Sequence, residues 1–375
     1  MSKSSKILIA VIIVLLVILV GYRMKQKAQA PQSSTIKIGG AFALSGDAAA
    51  WGEAEKNAVT LAMEEMEKKQ DPKYPKVEVV VEDTKSDNSK EVSAVSKLIN
   101  IDKVNVMLGP TWLDTYGGAT PLSDQYKTLM FTPSAAITAV KGDKAYPYVF
   151  STWYAGDLEG RELVRHAAKM GKKRVALFFE NDSYWQDISA RVHKYAPEYS
   201  VEIVEELKSP PTETDFRTSL LKIKDLKVDA ILFGINGDRR YWNFLKQRRE
   251  LFPEVSLFTT GALEEFMTQK KFEGLFDGVY MVVPKIKDTT FVERYKTRFG
   301  VDPVFSASNA YDAANILMEA FGNGSRSPED VGKYFKEHTF NTVTFGTTSF
   351  DEFGGLKNGE FGLKALRDGK AEFVK

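Results

Sequence analysis

The chain contains no cysteine. That absence excludes disulfides, thiol catalysis, cysteine-bound zinc and lipid attachment through an N-terminal cysteine. Histidine is almost missing: only His166, His193 and His338 occur, each flanked by helix-type sequence, so no histidine cluster for a metal or a proton relay is expected. Charge of one sign is not in excess either. With 51 basic and 50 acidic residues the net charge is +1, and the only dense basic stretch, Lys169 to Arg174, is short. Nucleic acid is therefore not an expected partner. No phosphate loop, dinucleotide glycine fingerprint, nucleophile elbow or paired-histidine motif is present, and the acidic stretch Asp83 to Glu91 lacks the turn glycine of a calcium loop. Neither a cofactor nor a metal is expected. No residue set at catalytic spacing emerges, so an enzyme is the least supported class.

One long apolar run is present. Residues Ile7 to Tyr22 carry no charge and are flanked by Lys3 and Lys6 on one side and Arg23, Lys25 and Lys27 on the other. As a helix at ~1.5 Å per residue the run reaches roughly 24 Å, short of a ~30 Å hydrocarbon core unless the flanking basic side chains snorkel. Ala28-Gln29-Ala30 offers the small-x-small pattern of a signal-peptidase site, whereas the charges before it and Pro31 after it favour a retained membrane anchor. Both fates stay open. Either way residues 1–34 read as a signal or membrane anchor with a polar linker, which places the body on the outer face of a membrane, or free in the periplasm or secreted after cleavage.

At 375 residues, 43% hydrophobic and 27% charged, the chain has room for two cores. After the linker, short aliphatic runs alternate with longer amphipathic ones: strand Ile36 to Phe42, helix to Lys68, strand Val77 to Glu82, helix Ser89 to Ile99, strands Val104 to Leu108 and Leu129 to Thr132. This rhythm predicts a parallel sheet covered by helices. Beyond Tyr146-Pro147-Tyr148 it restarts, with helix Asp157 to Met170, strand Arg174 to Phe179, helix Trp185 to Tyr195, strand Val201 to Leu207, helix Phe216 to Lys224, strand Val228 to Gly234, helix Arg239 to Arg249 and strands Ser256 to Thr260 and Gly278 to Val283. A second sheet of similar size is implied. The last third supplies helices Phe291 to Phe299 and Ser308 to Ala320, a helix opened by Ser327-Pro328-Glu329-Asp330, and a strand-and-turn stretch, Thr344 to Glu360. These pieces are too few for a third core and are expected to return to the earlier lobes.

Strand Ile36 to Phe42 runs through Ala43-Leu44-Ser45-Gly46 into a helix start at Trp51-Gly52. A strand that turns into a helix at a sheet edge makes a ligand cradle, although the same sequence serves as an ordinary βα turn with a core tryptophan. Further ordered pieces follow: Glu82-Asp83-Thr84 with Asp87; Leu108-Gly109-Pro110; Phe131-Thr132-Pro133-Ser134-Ala135; Tyr311-Asp312-Ala313-Ala314; and Gly346 to Phe361 with Phe350-Asp351 and Gly354-Gly355. Together they resemble the type 1 periplasmic solute-binding proteins, in the leucine/isoleucine/valine-binding branch of ABC-transporter receptors, over nearly all of the chain after Thr35.

The resemblance implies an α/β fold of two Rossmann-like lobes with parallel sheets, joined by a three-strand hinge and preceded by an N-terminal hydrophobic helix. One lobe would comprise 36–152 with 284–359, the other 153–283 with 360–375. The ligand would lie between them, and the closed form would be presented to an ABC permease in the membrane. Residue by residue, Ser134 and the backbone of Ala135 and Ala136 fall where the family holds the solute's carboxylate. Trp51 and Tyr184 fall on the side-chain pocket, and Asn236 and Asp238 where the second lobe touches ligand. Two positions depart: Leu113, beside Asp114 and Thr115, stands where the branch has a serine, and Ala262 where it has the ammonium-binding glutamate, with Glu264 and Glu265 nearby. The simpler alternatives are a turn hydroxyl for Ser134, a helix cap for Asp238, and core or rim packing for Trp112, Trp153 and Trp185.

The expected function is capture of an amino acid or related small solute for an ABC transporter. A ligand sensor or regulatory subunit using the same cleft is the alternative.

Overall fold

A computed structural model describes residues 35–136, 146–154, 156–266, 270–367 and 370–374. The apolar run and linker of residues 1–34, expected to be an anchor or signal, lie outside the described residues. Among the described residues no helix is long and apolar enough to cross a membrane.

The first sheet is built from β1 (Ile36–Phe42), β2 (Val77–Asp83), β3 (Val106–Leu108), β4 (Leu129–Thr132) and β5 (Val149–Ser151), in the order β2-β1-β3-β4-β5. All its pairs are parallel. β3, β4 and β5 are buried along their whole length, which is why they read as continuous apolar runs rather than as alternating ones. The crossovers are α1 (Ala49–Lys68), α2 (Asn88–Asn100) and α3 (Leu113–Tyr126). Asp87 caps α2 by accepting from Lys90 N at 2.9 Å.

The chain then enters the second lobe through α4 (Gly156–Lys169), β6 (Arg174–Glu180), α5 (Ser183–Tyr195), β7 (Glu202–Ser209), α6 (Arg217–Asp225), β8 (Ala230–Gly234), α7 (Asp238–Leu251), β9 (Ser256–Thr260) and β10 (Val279–Pro284). It returns to the first lobe with α8 (Thr290–Phe299), α9 (Phe305–Gly322), α10 (Pro328–Glu337) and the ribbon β11 (Thr339–Thr342) with β12 (Gly346–Ser349). Helices α8 and α9 pack on α1, where Arg294 and Tyr311 share the Glu65 carboxylate at 2.7 and 2.5 Å. α10 starts with the capping box Ser327/Asp330 and Pro328, as its sequence predicts. Finally β13 (Phe361–Arg367) and β14 (Lys370–Phe373) join the second sheet, ordered β14-β13-β10-β9-β8-β6-β7.

Two expectations need correction. The second sheet is mixed, because β13 pairs antiparallel with β10 and β14 antiparallel with β13. Its edge is made by the C-terminal tail returning from the first lobe, and the short sequence separation of β13 and β14 permits only antiparallel pairing between them. After Pro110, where the sequence rhythm has no helix between two strands, the chain becomes helical at Leu113. Gly117-Gly118 and an internal Pro121 hide α3 in the sequence, but α3 packs on α2 and buries Ala119, Thr120 and Ser123, so tertiary contact outweighs local propensity.

Where the chain passes between the sheets, its segments lie side by side. Ser151 N donates to Gly354 O at 2.8 Å, Tyr154 bridges Leu356, and Lys285 N donates to Glu360 O at 2.8 Å.

Candidate functional site

The first wall starts at the C-terminal end of β1. A Cβ on Gly52 would lie 2.0 Å from Ala43 O, so only glycine lets the start of α1 press onto the strand end. That contact seats Trp51, which is 7% exposed, with its ring centroid 5.8 Å from that of Trp153 at 36°. Trp153 in turn lies 4.7 Å from Tyr154. An aromatic row thus runs from the first lobe to the crossover.

One helical turn beyond Trp51 on the same face, Glu55 is fully buried under the β3–α3 and β4 loops. Thr111 Oγ1 donates to Glu55 Oε2 at 2.6 Å and accepts from Ala43 N at 3.2 Å. Burial pushes the Glu55 carboxyl up to about 7, against the lowering effect of the Thr111, Ser134 and Ser306 hydroxyls beside it. Among the described residues its Oε1 has no hydrogen-bond partner. Ser134 Oγ accepts from Trp112 N at 3.0 Å, and Trp112 is held at a φ of 75°, a costly conformation for a bulky residue and one that concentrates at ligand-binding loops. Ala135 and Ala136 are buried, and Ala135 O accepts from Ser151 Oγ at 2.7 Å. Leu113 and Asp114 form the first turn of α3.

The second wall is centred on Tyr184, in the first turn of α5, whose N-cap Asp182 accepts from Trp185 N at 2.8 Å. Tyr184 is part-exposed and packs against clusters of both lobes, including the one that contains Ala135; α3 and α5 meet at the same place. Its hydroxyl lies 2.8 Å from Glu159 Oε2 and 3.4 Å from Thr260 Oγ1, while Tyr154 Oη donates to Glu159 Oε1 at 2.6 Å. Glu159 is fully buried on α4; desolvation raises it to about 7, opposed by the two tyrosine hydroxyls. Burial and the Glu159 charge push both tyrosines well above the usual phenol range.

Asn236 is committed three ways: its N donates to Glu180 Oε2 at 2.7 Å, its Nδ2 to Asp182 at 2.6 Å, and its Oδ1 accepts from Trp185 Nε1 at 3.2 Å. Trp185 is fully buried, stacked on Phe179, so it packs the core. Asp238 is the first residue of α7, paired with Lys271, and the cap position is Gly237. Ala262 N points to Thr260 Oγ1 at 3.4 Å, and Glu264 is paired with Lys364 at 2.9 Å.

The anticipated residues therefore gather into two groups: Trp51, Ser134, Ala135 and Ala136 on the first wall, at the mouth of the helix that begins with Leu113 and Asp114, and Tyr184, Asn236 and Ala262 on the second. Glu55, Thr111, Tyr154, Glu159 and Thr260 were not anticipated. A signal existed for the two glutamates, since each sits on an otherwise apolar stripe: Trp51, Glu55, Ala58 and Ala62 on α1, and Glu159, Leu163 and Ala167 on α4. No group of three or more metal-ligating side chains occurs among the described residues.

The periplasmic binding protein family model matches residues 35–360. The chain belongs to the periplasmic binding protein family. This binding protein is 22% identical over 336 residues to the leucine-, isoleucine-, valine-, threonine- and alanine-binding protein of Pseudomonas aeruginosa, covering 88% of this chain and 89% of that one. Among solved structures it superposes with a TM-score of 0.79 on the branched-chain amino acid transporter substrate-binding protein of Streptococcus pneumoniae in complex with isoleucine, at 25% identity, covering 91% of this chain and 99% of the other. It superposes with a TM-score of 0.77 on a solute-binding protein of an ABC transporter from R. palustris in complex with benzoate, at 19% identity, covering 91% and 96%. Members of this family bind solutes, and so does this protein.

Proposed function

We propose that this binding protein captures an amino acid or a related small solute between its lobes and presents it to an ABC permease. The observation that carries the reading is Tyr184: a part-exposed residue of the second lobe that packs against the first-lobe cluster containing Ala135. Residues 36–152 with 284–359 form one lobe, and 153–283 with 360–375 the other. The three crossings near residues 151–154, 284–285 and 356–360 act as the hinge. In the cleft, Ser134 and the backbone of Ala135 and Ala136 take the solute's carboxylate. Trp51 lines the side-chain pocket, the start of α3 at Leu113 and Asp114 belongs to the first-lobe wall, and Tyr184, Asn236 and Ala262 face it from the second lobe. Residues 1–34 tether the body to the outer face of the membrane, or are removed on export. No chemistry is performed on the solute.

Titration calorimetry of the full-length chain, kept in mild detergent for its apolar residues 7–22, against the twenty amino acids, their amides and small organic acids tests this. Binding of at least one, with a fall in radius of gyration on saturation, is expected. A well-folded protein that binds none of them overturns the proposal.

A further inference from the structure

A groove runs along the outer flank of the first lobe, away from the cleft. Its first part is a chamber of about 460 Å³ whose wall includes Thr35, the first described residue, with Met63 and Met66 from the last turns of α1, Met318 of α9, Tyr74 and Val77. Met66 and Met318 are buried, whereas Met63, Tyr74 and Val77 are half-buried, so a packed floor carries walls that reach solvent. The loop that supplies Tyr74 is fixed. Tyr74 N donates to Asp71 O at 3.1 Å and Lys73 N to Asp71 Oδ1 at 2.9 Å, and a Cβ on Gly322 would lie 2.8 Å from the Tyr74 ring, so the loop rests on the end of α9. A second chamber of about 290 Å³ shares Met63 and Glu67 with the first and continues the groove to Val79 and Val81. These valines lie on β2, the edge strand of its sheet, which has no neighbour on its outer side among the described residues; Val81 is 37% exposed. An apolar groove beside an open strand edge is a surface that proteins keep covered.

Thr35 is itself part of the wall, so residue 34 begins at the chamber. Residues 28–34 read Ala-Gln-Ala-Pro-Gln-Ser-Ser and carry no charge that would resist burial. Extended, seven residues reach ~24 Å, enough to follow the groove from Thr35 past Val77 to Val81, a distance of ~13 Å along β2. Methionine thioethers adapt to a chain laid on them, and a proline with its φ already fixed loses little freedom on docking beside a tyrosine ring.

We infer that this groove is the seat of the chain's own residues 28–34, with Pro31 in the Thr35 chamber. Seated, the segment covers the open flank of β2 and shelters Ala28-Gln29-Ala30 from proteases. Upstream of it Arg23, Lys25 and Lys27 face a rim whose charged residues, Glu67, Asp71 and Lys76, are net acidic. The seat also sets where the tether leaves the body. Thr35 stands at the start of β1 and the cleft wall at its end, so Arg23 to Lys27 depart from the end of the first lobe opposite the cleft. The free part of the linker falls from residues 23–34 to residues 23–27, from ~40 Å to ~17 Å when extended, which limits how far the body swings from an anchor. This last consequence rests on the tethering read above; the seat needs only that residues 28–34 are present.

The chain has no cysteine, so introduced pairs report proximity without background. In the full-length chain in mild detergent, Pro31→Cys with Met63→Cys should form an intramolecular disulfide under mild oxidation at least tenfold faster than Pro31→Cys with Asn105→Cys. Asn105 is exposed just before β3, which flanks β1 on the side away from β2. A second measurement serves if the cysteine pair fails to fold: elastase, which cuts after alanine, should cut at Ala28 and Ala30 at least tenfold faster in Met63→Glu, where a charge spoils the wall, than in the wild type. Equal disulfide rates at the two positions, or equal cutting of wild type and Met63→Glu, would overturn the inference. So would disulfide-linked dimers of the single Met63→Cys variant, which put a second copy in the groove, or faster linkage of Met63→Cys to Val14→Cys than to Pro31→Cys, which puts the apolar run there. Each of these results leaves solute binding untouched.

Discussion

Thr111 Oγ1 lies 2.6 Å from Glu55 Oε2 with both side chains fully buried, so the β3–α3 loop is fastened to α1 through a carboxyl with no access to water. The same device recurs across the cleft, where Glu159 fastens Tyr184 and Tyr154. Each wall thus hangs its hydroxyls on a hidden acid. Fixing hydroxyls this way removes the rotational freedom that a solute would otherwise have to freeze out on binding.

Burial raises the folded-state pKa of Glu55 from 4.5 to about 7, so the folded protein binds a proton there that the unfolded chain has already lost. The stabilisation is complete below pH 4.5 and disappears as pH rises through 7. Glu55→Gln, which is neutral throughout, should remove about 3 kcal/mol from the loss of stability between pH 4.5 and 8. Urea denaturation of both proteins at pH 5 and pH 8 measures this; parallel pH dependences would refute it.

Trp51 faces Trp153 rather than a purely aliphatic core. Trp51→Phe keeps an aromatic face with less volume and should cost under about 2 kcal/mol of stability. On the proposed placement of Trp51 in the side-chain pocket, solute affinity should fall by about tenfold. Thermal melts and calorimetry on the same preparation separate the two effects.

Two glycines should respond differently to alanine. At Gly52 the new Cβ would meet the backbone carbonyl of Ala43 at 2.0 Å, and at Gly234 it would meet the Trp185 ring at 2.1 Å. Either change should cost about 3 kcal/mol or more. Only the second has a remedy: replacing Trp185 by Leu in the Gly234→Ala background should be less damaging than the sum of the two single changes. Additive losses measured by denaturation would count against the contact.

Glu180 and Arg240 form a pair with side chains 6% and 9% exposed, and Arg240 also donates to Ser209 Oγ at 2.8 Å and Glu213 O at 2.8 Å. Glu180 Oε2 additionally accepts from Asn236 N. Glu180→Ala leaves a buried guanidinium without its counter-charge and should cost about 3–5 kcal/mol, with Glu180→Gln costing less. Because Asn236 loses its backbone tether, solute affinity should fall too, a second effect visible by calorimetry in the milder variant.

Much of the scaffold is written in local chemistry. Asp87 and Ser327-Pro328 start helices because a carboxylate or hydroxyl satisfies exposed N–H groups whatever the surroundings, and the buried strands announce themselves as apolar runs. Helix α3 was hidden because Gly117-Gly118 and Pro121 disfavour a helix locally, and only packing on α2 overrides that preference. The tail strand β13 was hidden for a related reason: its partner β10 is remote in sequence, and so distant a pairing leaves no local trace.

The amino-acid order by itself determined the alternation of strands and helices and the helix starts, since these follow from short-range pattern and spacing, and its ordered pieces carry the resemblance that pointed to the family. What only the tertiary structure decided is the electrostatics of the cleft. Glu55 and Glu159 are ordinary helix residues in the sequence, and their burial and their bonds to Thr111 and to Tyr154 and Tyr184 arise when separate segments converge. Desolvation is a property of that convergence, so the acids that govern the two walls could not be read until the walls were assembled.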